Sequence, residues 1–103
     1  MNFVHRTYYR WRARRELRKI PKERRAEVMQ LAADACRHCE TVSAIKPYVE
    51  LRSRPQPSMG RLGFGIAEIL IIIQIVMLLY KIAQYMGWLK TATPRMVAEE
   101  LGE

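Results

Sequence analysis

Cys36-Arg-His-Cys39 is the first place in this chain where residue types and spacing suggest chemistry. Two thiols three residues apart have the C-x-x-C spacing used by redox pairs and metal sites. A tetrahedral zinc site takes four ligands, and the chain's two histidines are His5 and His38. His38 lies between the cysteines and projects to a different side of a helix. Glu40 rather than His follows Cys39, which departs from the haem-attachment pattern. Redox pairs sit at a helix N-terminus, where the dipole lowers the thiol pKa, whereas this pair is expected in mid-helix. The pair therefore reads as two small buried or interfacial thiols, with no metal and no cofactor expected.

The second concentration of chemistry is cationic. Arg6, Arg10, Trp11, Arg12, Arg14, Arg15, Arg18 and Lys19 fall within one short stretch, with Tyr8 and Tyr9 among them. Interleaved arginines and aromatic rings suit anionic surfaces. They can rest on acidic lipid headgroups, line an acidic protein surface, or hold phosphate and stack on bases. Lipid or protein contact is favoured over nucleic acid, because no nucleic-acid-binding fold signature accompanies the residues. Tyr8-Tyr9-Arg10 ahead of an arginine-rich helix resembles the Leu-Tyr-Arg motif of small mitochondrial assembly factors. Tyr8 stands in place of the leading Leu, and no function is carried across from that family.

The third set lies in an apolar block, residues 62–89, which holds only two charges, Glu68 and Lys81. As a helix these 28 residues would run about 42 Å, against a hydrocarbon core of about 30 Å. Tyr80, Tyr85 and Trp88 sit towards one end, as aromatic residues do at a bilayer interface. The expectation is a single transmembrane helix. Glu68 is expected to snorkel to the inner headgroups or pair with Arg61, and Lys81 to bend outward to the other interface. Gly60, Gly63, Ala67, Leu70, Gln74, Met77, Lys81, Gln84 and Trp88 follow one another at alternating steps of three and four. That is a continuous 3.5-residue seam. Small residues allow close backbone approach and Gln can bond across helices, so the seam is the expected packing face. The flank Ile66, Ile69, Ile73, Val76 and Tyr80 is expected to face lipid.

These residues need elements to position them. Tyr9, Ala13, Leu17 and Ile20 give a first amphipathic helix that Pro21 breaks. Val28, Leu31, Ala35, His38, Val42 and Ile45 give a second. The two form a basic helical hairpin over 1–45 with too little apolar area for a confident core of its own. Pro47, Pro55 and Pro57 mark 46–61 as an extended linker. In the tail, 90–103, Thr93 is an expected N-cap and Pro94 a first-turn residue, with Val97 and Leu101 available for docking. The fold class expected is all-α.

Charge sets the orientation. The chain has 18 Lys and Arg against 10 Asp and Glu, net +8. Residues 1–61 alone hold a net +9 and residues 90–103 a net −1. Basic segments stay inside, and an apolar run beginning after residue 60 is not a secretory signal. The expected placement is an integral protein of a bacterial inner, viral internal or organellar inner membrane, N-terminus in and C-terminus out. Nucleophile–base pairs, paired acid/base carboxylates and phosphate loops are lacking in the sequence, so no enzyme activity is expected. The expected function is a small structural subunit of a larger membrane assembly, partnered by copies of itself or by other subunits, and by anionic headgroups. Two alternatives are a viral or phage membrane protein linking membrane to capsid or genome, or a tethered nucleic-acid binder, and a small self-assembling, holin-like pore.

Overall fold

The computed structural model describes residues 3–54 and 63–103. Five α-helices run through them: α1 Phe3–Leu17, α2 Arg25–His38, α3 Ile45–Ser53, α4 Ile66–Met86 and α5 Pro94–Leu101. Short 3-10 turns at Lys22–Arg24, Val42–Ala44 and Leu89–Thr91 join or extend them.

The end of α1, both ends of α4 and the start of α5 have local causes. Past Leu17 the chain tightens, with Ile20 N–H donating to the Leu17 carbonyl at 3.0 Å. Pro21 then leaves the helical region at ψ 138°. Gly65 precedes α4 in extended conformation, and its N–H donates to Glu68 Oε1 at 3.2 Å. This is the reach-back half of a capping box. Glu68 is thus used to start the helix it lies on; Arg61, its expected partner, lies outside the described residues. Gly87 ends α4 with φ +78°, a left-handed residue where glycine carries no Cβ penalty. The Ala83 carbonyl accepts from both Gly87 and Trp88 N–H, at 2.8 and 3.0 Å. Thr93 Oγ1 accepts from Met96 N–H at 3.2 Å, with Pro94 behind it in the first turn of α5.

The connector expected to be extended from residue 46 is instead helical through Ser53. Pro47 falls in the first turn of α3, where its missing N–H costs no intrahelical bond. Ile45, Val49 and Ser53, four residues apart, make its buried face. Pro55 and Pro57 lie outside the described residues.

The larger departure concerns α4. At 21 residues it is about 32 Å long, and it is long and apolar enough to cross a membrane. Half of its most apolar stretch is nevertheless buried by the rest of the chain. Helices α1, α2 and α3 all lie against it, α1 most extensively. Ile72, Ile75, Val76, Leu79 and Ile82 are fully buried, joined in the core by Leu17, Val28, Ile45, Val49 and Val97. The flank expected to face lipid is largely inside: Ile73, Val76 and Tyr80 are buried, and only Ile66 of its five residues is open. Tyr80 donates from its hydroxyl to the Cys39 carbonyl at 3.1 Å, tying α4 to the end of α2. The radius of gyration is 12.9 Å, against about 13 Å for a folded domain of this size. Helices α1 and α2, expected to pair as a basic hairpin, make little direct contact; each lies instead against α4, which serves as their common core, and against α5.

Candidate functional site

Helix α1 divides into two faces. Ala13 and Leu17 are buried towards α4. Beside them three arginines turn inward to a single acid on α5. Arg6 Nη2 donates to Glu100 Oε1 at 2.7 Å, and Arg10 Nε lies 3.1 Å from Oε2. The second contact is an ion pair without hydrogen-bond alignment, since neither Arg10 Nε nor Glu100 Oε2 makes a hydrogen bond. Arg14 Nε donates to the Glu100 backbone carbonyl at 3.2 Å, in the last turn of α5, where open carbonyls favour a cation. Glu100 itself is buried. Of the arginines expected on an anionic surface, Arg6, Arg10 and Arg14 therefore hold the fold together.

The opposite face looks out. Val4 is 67% exposed, Tyr8 50% and Trp11 55%. Tyr8 and Trp11 stack with centroids 6.4 Å apart. The Arg12 guanidinium lies 5.9 Å from the Tyr8 ring centre and that of Arg15 5.6 Å from the Trp11 ring centre. A groove of about 540 Å³ runs along this helix between Trp11, Arg15 and Arg18 on one side and Arg10 and Arg14 on the other. Among the described residues Arg12, Arg15 and Arg18 have no carboxylate partner, whereas Lys19 pairs with Glu16 at 3.1 Å. Of the residues expected on an anionic surface, Trp11, Arg12, Arg15 and Arg18 are thus the ones not taken up in ion pairs or by the Glu100 carbonyl among the described residues, and Val4 and Tyr8 lie exposed beside them. The signal for those two was in the sequence: Val4, Tyr8, Trp11, Arg15 and Arg18 advance by alternating fours and threes.

The seam on α4 also splits. Ala67, Leu70, Gln74 and Gln84 are exposed. Met77 and Trp88 are half-buried against the core, and Lys81 Nζ sits 5.5 Å from the Tyr9 ring centre rather than reaching away along the helix. Gly63 accepts from Arg24 Nη1 through its carbonyl at 3.3 Å, and Gly60 lies outside the described residues. At its N-terminal end the open stripe enters an apolar groove of about 470 Å³ between α3 and α4, floored by Phe64, Ile66, Ile69 and Leu70 and edged by Lys46 and Glu50.

Cys36 and Cys39 are both buried free thiols. Burial, and secondarily the neighbouring Cys39, pushes the Cys36 thiol up to about 12. Burial raises Cys39 as well, against the opposing charge of Lys90. His38 points outward and stacks on Tyr48 at 6.4 Å. Among the described residues no three His, Cys, Asp or Glu side chains gather into a group that would hold a metal.

Comparison with known proteins finds no matching family, no matching curated relative and no matching solved structure.

Proposed function

We propose that the chain is a non-enzymatic, small structural subunit of a larger membrane-associated assembly, attached through the open stripe of α4. The supporting observation is that the stripe left uncovered by α1, α2 and α3 carries Ala67, Leu70, Gln74 and Gln84, members of the 3.5-residue seam. Leu70 is 56% exposed and Ile66 82%. A helix from a second copy or another subunit laid along them would complete the enclosure of α4, with Gln74 and Gln84 placed to bond across it.

A photo-reactive residue at Gln74 tests this in native membranes. The expected result is a covalent adduct with a second polypeptide, absent when the same residue replaces exposed Lys22. Equal yields at both positions would remove the reading.

A second reading, favoured by the length and hydropathy of α4, has α4 crossing the bilayer with the basic N-terminal region inside and the tail outside. It requires α1, with its arginines, to leave the surface of α4. Alkaline extraction separates the two forms: a spanning α4 stays with the bilayer, and the compact fold is washed free.

A further inference from the structure

The outer face of α1 has a composition that its inner face explains. Glu100 draws Arg6 and Arg10 inward, at 2.7 and 3.1 Å, leaving the outward cations without an acid among the described residues. What remains outside is ordered along the helix: Val4, Tyr8 and Trp11 in the first turns, then Arg15 and Arg18. Their steps of four, three, four and three keep all five on one side. A shallow hollow of about 420 Å³ lined by Val4, Thr7, Tyr8 and Trp11 accompanies the apolar end. We propose that this face seats the protein on an anionic lipid surface, with Tyr8 and Trp11 at the headgroup–acyl boundary and Arg15 and Arg18 on lipid phosphates.

Three observations select this occupant. A second copy of the face would set cations against cations. A nucleic-acid backbone suits the arginines but leaves Val4 and the apolar hollow uncovered. A bilayer offers anionic headgroups and an apolar boundary within one side-chain length of each other, and aromatic rings partition to that boundary. The inference uses α1 alone and does not depend on what covers α4.

The test uses the full chain with vesicles of phosphatidylcholine, with and without phosphatidylserine. Sedimentation of the unaltered chain is expected with the anionic vesicles alone, weakening as salt rises. In a Trp88→Phe background, Trp11 is the remaining tryptophan of the chain's two, and its emission is expected to shift to the blue on binding. Arg15→Gln with Arg18→Gln is expected to weaken binding about 30-fold. The charge-matched pair Lys22→Gln with Lys46→Gln is expected to weaken it less than about 3-fold. Failure to bind anionic vesicles overturns the proposal, as does equal loss in both pairs. Binding without the emission shift overturns the seating of the rings. Double-stranded DNA bound through Arg15 and Arg18, with vesicles ignored, overturns the choice of lipid.

Discussion

Burial of Cys36 has consequences that can be read in solution. With its thiol at about 12 in the fold, against an ordinary 9.0, almost no thiolate exists near neutrality, and thiolate is the reactive form. Alkylation by iodoacetamide at pH 8 should be slow in the native chain and fast in denaturant; fast native labelling would show that the α2 core opens readily. The linkage has a definite sign. A raised folded-state pKa contributes stability that is whole below pH 9.0 and is lost as pH rises towards 12. Melting temperature should therefore fall across that alkaline window, and replacing Cys36 with Ala should flatten the fall. Glu100 makes a second residue-scale case. Glu100→Gln leaves Arg6 and Arg10 facing a neutral amide and should cost about 2 kcal/mol, discounted from a fully buried pair because both arginines keep partial access to water.

At the scale of elements, the termini of α4 and α5 rest on single residues. Gly87→Ala must place a Cβ at φ +78°, at a cost of about 1–2 kcal/mol. Thr93→Ala removes the oxygen that accepts from Met96 N–H and should cost about 1 kcal/mol. Equilibrium denaturation measures both. Helix α1 works on two sides at once. Its inner side joins α4 to α5, while its outer side keeps aromatic rings in water that a soluble face has no need of. The outer side is the element on which the lipid inference stands.

For the whole molecule the decisive question is what α4 is surrounded by. In the compact fold Ile75 is fully buried and Leu70 is more than half exposed. Ile75→Ala should then destabilise by about 3 kcal/mol and Leu70→Ala by no more than about 0.5 kcal/mol in the isolated chain. If α4 stood alone in a bilayer, the two changes would have similar effects. Denaturation of the purified chain compares them, and equal costs would sink the core-helix arrangement. The open stripe predicts the complementary result in the assembly: Leu70→Ala weakens association there although it leaves the isolated fold intact.

Local patterns carried much of this. The 3.6-residue stripe of α1, the run Val28, Leu31 and Ala35 on α2, the stop at Pro21 and the Thr93-Pro94 start of α5 follow from side-chain spacing and backbone chemistry, which act over a few residues. The second helix, expected to continue to Ile45, instead ends at His38, which puts Cys36 in its last turn and Cys39 at its C-cap rather than in mid-helix. The apolar character and length of α4 were equally legible, since hydropathy is a property of the segment itself. What surrounds that segment was not. A helix apolar on most sides satisfies lipid and a protein core equally well, because both are dry. Only tertiary structure showed α1, α2 and α3 laid against it, turning the flank Ile73, Val76 and Tyr80 inward. The same holds for charge. The sequence determined that 1–61 is strongly basic, but which arginines look outward depended on Glu100, about ninety residues from Arg6, arriving beside α1. Spacing fixes which residues share a face; long-range packing decides what that face meets.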